Sequence, residues 1–261
     1  MNKLLQIKNL SISFKNNEKF VNAVNGVNLD VFEGEILALA GESASGKTLT
    51  ALSITRLLPY NAVINSGEII FNQRNLLNSS EGELEDIRGK EISYIFQEAQ
   101  ASLNPVLSIG RQIMEPIIVH QKKTESQARA MAVDLLKMVK LPYLIETFKC
   151  YPHQLSGGMN QRVMIAMALA SRAKLLIADE PTTALDVTIE KEIIKMLLEL
   201  REEFGFAILF ITHNLHLVEK FAGRVAIMFQ GRIVEIGRTS EIFSNPQHEH
   251  TKALIESIIK I

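Results

Sequence analysis

Alternating hydrophobic and polar positions dominate the beginning of the chain. Apolar side chains recur at about every second position from Leu5 to Phe14 and again from Val21 to Val31, which is the period of a strand with one buried face. A turn at residues 33–35 leads into the wholly apolar run Ile36-Leu37-Ala38-Leu39-Ala40. Such a run predicts a strand that is buried on both faces of a sheet. A further strand is predicted at residues 68–71.

Helical spacing replaces this alternation in the middle of the chain. Thr124 and Gln127 fit a capping box, in which the threonine side chain accepts a hydrogen bond from an amide of the first helical turn. Apolar residues then recur at helical spacing up to Met138, and Pro142 closes the segment. We therefore predict a helical insertion over about residues 98–155.

Helices and strands alternate after this insertion. Helices are predicted at about 158–172 and 187–203, and each precedes a short apolar run, at 175–178 and at 207–211. This order favours a mainly parallel sheet with covering helices. Two strand-like runs flank Gly231, and a terminal helix lies in a tail of about 235–261. We expect residues 1–261 to form a single domain that includes the insertion and the tail.

Composition and charge narrow the function classes. A single cysteine, Cys150, excludes an internal disulfide and a cysteine-rich metal site. The net charge of −1, from 28 basic and 29 acidic residues, gives no electrostatic footprint for nucleic acid. No stretch approaches the roughly 18 consecutive apolar residues that indicate a membrane-spanning helix, and the alternating N-terminal residues are unlike a signal peptide. We expect a soluble chain that meets any membrane through a partner.

The loop after the buried strand carries the first chemical motif. Residues 41–48 match the P-loop pattern and lie between that strand and a helix predicted at Leu49–Leu58. Glycines allow backbone amides and the helix N-terminus to face phosphate. Lys47 would reach the β- and γ-phosphates of ATP, and the Thr48 hydroxyl would hold Mg²⁺. The predicted nucleotide-binding residues of this loop are Gly41, Glu42, Ser43, Ala44, Ser45, Gly46, Lys47, Thr48 and Leu49.

A second serine and glycine group opens the helix that follows the insertion. Residues 155–162 read Leu-Ser-Gly-Gly-Met-Asn-Gln-Arg, and a helix N-terminus of this kind is again an anion site. One nucleotide does not need two such sites from one chain. The stretch resembles the signature motif of ABC ATPases, which implies that it faces the γ-phosphate held by a second ATPase subunit. The residues that this resemblance implies for nucleotide binding are Ser156, Gly157, Gly158 and Gln161.

The motifs further along the chain resemble the same family in the same order. Residues 175–180 look like a Walker B strand, in which Asp179 would support Mg²⁺ and Glu180 would polarise the attacking water as general base. Residues 181–186 look like the D-loop, which implies that Asp186 lies near nucleotide. Gln97 resembles the Q-loop glutamine, which can reach Mg²⁺ and the water. His213 resembles the switch histidine beside the γ-phosphate.

One aromatic residue is expected to stack on adenine. Phe14, at the end of the first predicted strand, is the first candidate for this contact. Phe20 is an alternative, and so is an ordinary core position for Phe14.

The resemblance covers nearly the whole chain and implies both fold and partners. The implied fold is α/β, a P-loop NTPase ABC ATPase domain with a mainly parallel sheet core, an N-terminal antiparallel β subdomain and an inserted helical subdomain. The implied activity is ATP hydrolysis coupled to transmembrane transport, at the cytoplasmic face of the membrane. The implied partners are a second ABC ATPase subunit, identical or related, two transmembrane permease subunits and an extracytoplasmic solute-binding protein.

Several stretches resemble the ATP-binding subunits of peptide and nickel importers in particular, namely residues 96–105, 109–113, 151–154, 179–188 and 245–254. Ala44 stands where this subfamily usually has glycine, and Asn160 where it often has arginine. Many peptide-importer ATPases continue into a cysteine-rich tail that this sequence lacks. This favours the nickel branch or a short-tailed peptide branch and leaves the solute open.

Three other classes share parts of this pattern. Non-transport ABC ATPases of translation or chromosome maintenance generally carry two cassettes or a long coiled coil, and residues 1–261 contain neither pattern. An exporter ATPase would share the core, but the Q-loop region and the tail resemble importers. A P-loop kinase would leave the signature motif without a role.

Overall fold

The computed structural model describes residues 2–16, 19–183 and 185–259 of the chain. Within them, strands and helices follow one another in the order β1 (Lys3–Asn16), β2 (Lys19–Phe32), β3 (Ile36–Ala40), α1 (Lys47–Ile54), β4 (Ala62–Phe71), β5 (Arg74–Asn75), α2 (Glu81–Ile87), β6 (Ile92–Ile95), α3 (Ala99–Ser102), α4 (Ile109–Gln121), α5 (Glu125–Met138), α6 (Leu144–Lys149), a 3-10 turn (Pro152–Gln154), α7 (Gly157–Leu169), β7 (Leu175–Asp179), α8 (Val187–Phe204), β8 (Ala207–Thr212), α9 (Leu215–Phe221), β9 (Arg224–Phe229), β10 (Arg232–Arg238), α10 (Thr239–Ser244) and α11 (Glu249–Ile259).

The chain divides into two compact units. The first comprises Met1–Leu84 and Ala207–Ile261, and the second comprises Glu85–Phe206. No helix in the described ranges combines the length and the apolar character that crossing a membrane requires.

The first unit contains two groups of strands. β2, β1, β4 and β5 form an antiparallel sheet in that order, with Leu5 opposite both Val31 and Phe71. In the other group, β3 pairs in parallel with β8 and with β9, and β10 pairs antiparallel with β9. All residues of β3 and β8 are buried, as their continuous apolar sequences predict. The predicted antiparallel N-terminal sheet and mainly parallel core are therefore confirmed.

The second unit is mostly helical. Its two strands, β6 and β7, pair in parallel, with Ile92 opposite Leu175. The predicted capping box of α5 is present, because Thr124 Oγ1 accepts from Gln127 N at 3.4 Å and Gln127 Oε1 accepts from Thr124 N at 3.1 Å. α4 and α6 pack closely, since a Cβ on Gly110 would lie 2.2 Å from the Phe148 ring.

Two sequence-based helix boundaries differ from the structure. The helix predicted at Leu49–Leu58 instead spans Lys47–Ile54, so Lys47 and Thr48 belong to its first turn. It ends early because Arg56 adopts φ 56°, a left-handed conformation that a helix cannot continue through. The predicted terminal helix is present as α11, but the polar stretch before it contains a further short helix, α10, which residues 245–248 separate from α11.

Candidate functional site

The P-loop joins the buried strand β3 to α1 in the first unit. Its course depends on three residues with positive φ: Gly41 at 154°, Ala44 at 61° and Gly46 at 106°. Gly46 is the N-cap of α1 and no side chain caps it, and the first turn of α1 contains no acidic residue. The helix N-terminus therefore presents its amides to a site without a competing carboxylate, which is favourable for a bound anion.

Two glycines of the loop have no space for a side chain. A Cβ on Gly41 would lie 2.1 Å from the carbonyl oxygen of Met228. A Cβ on Gly46 would lie 2.8 Å from the carbonyl oxygen of Ala23 and equally close to the Met228 methyl group. Backbone cannot yield easily at such distances, so β2 and β9 confine the P-loop to one path.

Lys47 lies across this loop. Its side chain is buried, and Nζ donates to the carbonyl oxygens of Gly41 at 2.9 Å and Glu42 at 2.7 Å. Ser45 Oγ lies 3.5 Å from the same ammonium. A positive charge is therefore held inside the curve of the loop. This charge and the loop amides fit a polyphosphate, as the sequence predicted.

His213 leaves the sheet at the same edge as the P-loop. β8 ends at Thr212, which pairs in parallel with Ala40, the last residue of β3. Carboxyl ends of neighbouring parallel strands meet at one edge, and ligands of α/β sheets bind there. His213 is exposed just beyond that edge, so the structure brings it and the P-loop to the same side of the first unit.

The two candidate adenine-stacking rings lie on opposite faces of the antiparallel sheet. Phe14 pairs with Val21, whereas Phe20 pairs with Lys15, the next residue of β1, and successive side chains alternate between faces. Phe14 is half-buried and therefore not a fully enclosed core residue, while Phe20 is 60% exposed. Phe14 shares its face with Ile12, whose cross-strand partner is Val24.

The face of the antiparallel sheet that contains Phe14 also lies next to the P-loop. A methyl group of Val24 lies 3.4 Å from the position of a Cβ on Gly46. The geometry therefore favours Phe14 over Phe20. Residues 17 and 18, between the two rings, lie outside the described residues.

The predicted carboxylates lie at the end of β7 in the second unit. Asp179 is the last residue of β7 and is buried, and Glu180 follows it. Gln97 lies just beyond β6, the parallel neighbour of β7, and its Nε2 donates to Glu180 Oε2 at 3.3 Å. Thr183 Oγ1 donates to the same oxygen at 2.9 Å. The structure therefore brings the predicted general base and the Q-loop glutamine into contact.

Glu180 adopts a conformation that is uncommon for a side-chain-bearing residue. Its φ is 44°, in the left-handed region. Such backbone strain clusters at functional sites and persists where the surrounding structure holds it. Here the hydrogen bonds from Gln97 and Thr183 orient the carboxylate.

The signature motif opens α7 in the second unit. Ser156 is its N-cap and accepts from Met159 N at 3.3 Å. Ser156 and Gly157 are exposed, and a Cβ on Gly157 would meet nothing within 4 Å. A Cβ on Gly158 would lie 3.2 Å from the Ile189 side chain of α8. The exposed start of this helix fits a second anion.

Gln161 does not fit the contact predicted for it. Its side chain is 3% exposed, and its Nε2 has no hydrogen-bond partner among the described residues. It lies on the second turn of α7, on the side that faces the interior of the unit. A direct contact with nucleotide at Gln161 is therefore not supported by the structure. Asn160, the departure from the subfamily pattern, is also buried and donates to the Pro152 carbonyl at 3.0 Å.

Asp186 is the N-cap of α8. One carboxylate oxygen accepts from Thr188 N and Ile189 N, both at 3.0 Å. This gives Asp186 a structural role that the D-loop resemblance alone did not predict. The capping pattern itself could have been found in the sequence, because aspartate before a helical run is a strong N-cap signal. Ala184, in the same loop, lies outside the described residues.

The residues predicted to hold Mg²⁺ are oxygen donors. Thr48 offers a hydroxyl, Asp179 a carboxylate and Gln97 an amide oxygen, and Mg²⁺ is usually held by one or two carboxylates together with phosphate and water. The described residues contain no group of three or more histidine, cysteine or acidic side chains arranged for a metal ion. The donor set thus suits a metal that is bound together with a phosphate substrate.

Comparison with known proteins identifies the family. A family model described as ABC transporter matches residues 24–183, more than half of the chain. The oligopeptide transport ATP-binding protein OppD of Bacillus subtilis strain 168 is 46% identical over 257 residues, which cover 98% of this chain and 72% of OppD. The dipeptide transport ATP-binding protein DppD of Escherichia coli K12 is 44% identical over 255 residues, 98% of this chain and 78% of DppD.

A solved structure gives the same result for the fold. The ATP-binding cassette MJ0796, in a dimeric post-hydrolysis state bound to ADP and phosphate, superimposes with a TM-score of 0.81 and 30% sequence identity. The match covers 90% of this chain and 98% of that one. The family resemblance of the motifs is confirmed: the chain belongs to the ABC transporter family and has the fold of its ATP-hydrolysing cassette.

Proposed function

We propose that this chain is the ATP-hydrolysing subunit of an importer that takes up peptides. The observation that carries the proposal is that one chain presents two anion-binding helix starts, α1 with Lys47 and α7 with Ser156. The α7 start is exposed, with open space at Gly157. A signature helix of this kind is suited to the phosphates held by a second ATPase subunit, identical or related. The relatives' names, oligopeptide and dipeptide transport, support peptides as the solute.

The central residues of the proposed site then have the following roles. Lys47 and the P-loop amides bind the β- and γ-phosphates of ATP, and Phe14 stacks on adenine. Glu180 polarises the attacking water, Gln97 orients the Glu180 carboxylate, and His213 contacts the γ-phosphate. Thr48, Asp179 and Gln97 are the residues that would hold Mg²⁺, and the chemistry that the metal would supply is positive charge next to phosphate oxygens.

The second unit also offers a surface for a permease. A groove of about 900 Å³ on this unit is lined by apolar side chains of α4 and α6 together with arginine and glutamate side chains of α4 and α5. Ile118 and Val119 are 38% and 49% exposed there. We assign this groove to a cytoplasmic loop of the transmembrane partner. The complete importer would contain two permease subunits and an extracytoplasmic solute-binding protein, with this chain on the cytoplasmic face.

Gentle detergent extraction tests the proposal. The full-length chain, tagged and expressed in its native cells, is purified from membranes and its partners are identified by mass spectrometry. An unrelated chain with the same tag is the control. We expect two polytopic membrane subunits, with or without a second ATPase. Recovery of ribosomal or DNA-bound partners without a membrane protein would overturn the transport role.

An assay with the same purified complex distinguishes peptides from metal chelates as the transported solute. ATP hydrolysis is measured with the solute-binding protein loaded with peptides or with a nickel chelate. We expect stimulation by peptides. Stimulation by the nickel chelate alone would assign the chain to the nickel branch instead.

A further inference from the structure

The turn between β9 and β10 is hydrogen-bonded directly to the P-loop. Gly231 N donates to the carbonyl oxygen of Ser45 at 3.0 Å. The carbonyl oxygen of Gly231 accepts from Asn25 N in β2 at 2.7 Å. A single residue of the turn thus links the phosphate loop to the antiparallel sheet. Both hydrogen bonds involve backbone atoms, so they depend on where the turn lies and not on the side chains of the loop.

There is little freedom for this turn to move. Gly231 adopts φ 77°, and a Cβ there would lie 2.7 Å from the carbonyl oxygen of Ala23. At the end of β9, Met228 is completely buried, and its carbonyl oxygen closes the space beside Gly41. Because Gly231 donates to the Ser45 carbonyl, a displacement of the turn either breaks that hydrogen bond or displaces the P-loop with it.

An aromatic pair joins the tail helix α11 to the end of β9, the strand that leads into this turn. The ring of Phe229, next to Met228, stacks on the ring of His250, with centroids 3.8 Å apart and planes at 24°. Such aromatic pairs contribute beyond the area they bury. His250 lies in the first turn of α11. The stack therefore connects the tail helix to the strand end that confines the P-loop.

A carboxylate of β10 fixes the start of that helix. Glu235 accepts from Gln247 N at 2.8 Å and from His248 N at 3.1 Å. Burial opposes ionisation of Glu235, but these amide donors hold the pKa of its carboxyl below the usual value. Thr251, in the first turn of α11, is completely buried. The tail helix is thus anchored to the hairpin at two points, Glu235 and Phe229.

We propose that α11 positions the P-loop for nucleotide through this hairpin. His250 holds Phe229, and Gly231, two residues further on, transmits that position to Ser45. Both His250 and Gly231 are positioning residues, and neither contacts the nucleotide. The inference rests on the proposed function, in which the P-loop binds ATP.

A glycine substitution with a matched control tests the first link. Gly231→Ala adds a Cβ at positive φ and against backbone, whereas Gly205→Ala adds one at φ 73° with nothing within 4 Å. The dissociation constant of Mg-ATP is measured by calorimetry on each full-length variant, together with the melting temperature. Loss of one hydrogen bond corresponds to a roughly three- to tenfold change. We expect Gly231→Ala to weaken binding by that factor and Gly205→Ala to leave it unchanged.

A pair of substitutions in the tail tests the second link. His250→Ala removes the stack, and His250→Phe retains an aromatic ring against Phe229. We expect His250→Ala to weaken Mg-ATP binding and His250→Phe to restore most of it. A purely structural tail would lower the melting temperature of His250→Ala without changing the dissociation constant, and that result overturns the proposal. If Gly231→Ala yields no folded protein, this pair decides alone.

The outcome is separable from failure of the proposed function. Wild-type chain and Lys47→Ala are measured in the same assay. If the wild type fails to bind Mg-ATP, both the P-loop assignment and the inference fail. If the wild type binds, Lys47→Ala does not, and the His250 and Gly231 variants bind like wild type, only the inference is overturned.

Discussion

Ala44 adopts a backbone conformation that is uncommon for a residue other than glycine. The subfamily usually has glycine there, and the structure gives Ala44 a φ of 61°. An L-residue in this region costs on the order of 1–2 kcal/mol relative to its ordinary conformations. The P-loop of this chain therefore carries local backbone strain at Ala44.

Ala44→Gly is expected to stabilise the protein. Removing the strain is partly offset by the greater freedom of glycine in the unfolded chain, roughly 0.5–1 kcal/mol. We expect a net gain of about 0.5–1 kcal/mol in the free energy of unfolding, measured with urea. Gly205→Ala is the reverse control and is expected to lose about 1 kcal/mol, because its site is open and only the backbone strain is added. A less stable Ala44→Gly variant would contradict this explanation.

Gly157 provides a test of the second anion site. Gly157→Ala introduces a methyl group that meets nothing within 4 Å among the described residues, whereas Gly158→Ala brings one within 3.2 Å of Ile189. We expect Gly157→Ala to leave the free energy of unfolding nearly unchanged and to lower ATP hydrolysis by the assembled complex at least tenfold, since a partner's nucleotide must approach there. Normal hydrolysis by Gly157→Ala would mean that nothing binds at the start of α7.

For single residues, the sequence predicted which strand each site residue follows better than it predicted what surrounds its side chain. The P-loop, Gln97, Glu180 and His213 each lie just after a strand, as the sequence pattern indicated. The burial of Gln161 was not predictable, because the signature pattern fixes the helix but not which of its faces packs inward. The contact between Gln97 and Glu180 joins residues 83 positions apart, so only the pairing of β6 with β7 could reveal it.

Caps and breaks explain where the elements begin and end. Capping hydrogen bonds between a side chain and a backbone amide were predictable where the two residues are close in the sequence, as in the capping box of Thr124. The interior of α4 contains Pro116, a residue that by itself predicts a helix break. Packing against neighbouring helices of the second unit overrides that local preference. The early end of α1 also escaped sequence reasoning, since Arg56 has no intrinsic preference for a left-handed conformation.

Asp186 separates a capping role from a nucleotide role at the start of α8. Asp186→Ala removes the acceptor for Thr188 N and Ile189 N and is expected to cost about 1 kcal/mol of unfolding free energy. Asp186→Asn retains a good N-cap and should preserve stability. Comparing ATP hydrolysis by Asp186→Asn with that by the wild type then isolates the charge, and comparing the two variants isolates the cap. If hydrolysis falls only where stability falls, Asp186 acts as a cap alone, and the D-loop role implied by the resemblance is wrong.

At the scale of the whole molecule, the residues predicted for the site are divided between the two units. The first unit contains the P-loop, Phe14 and His213, and the second contains the carboxylates and the signature helix. We propose that residues 1–261 function as one ATPase domain, with about 98–155 as its helical insertion and about 235–261 as its tail. The sequence supported a single domain only through the order of the motifs, because the motifs of one family followed one another in the expected succession.

The most direct test is phosphate release from Mg-ATP by the complex purified from membranes, with wild-type chain and with Glu180→Gln. We expect the wild-type complex to hydrolyse ATP, and we expect peptides delivered by the solute-binding protein to stimulate this hydrolysis. Glu180→Gln should still bind Mg-ATP but release phosphate on the order of 10² to 10⁴ times more slowly, because the amide cannot act as a general base. Equal phosphate release from the two complexes would contradict the role of Glu180, and a wild-type complex without hydrolysis would contradict the account as a whole.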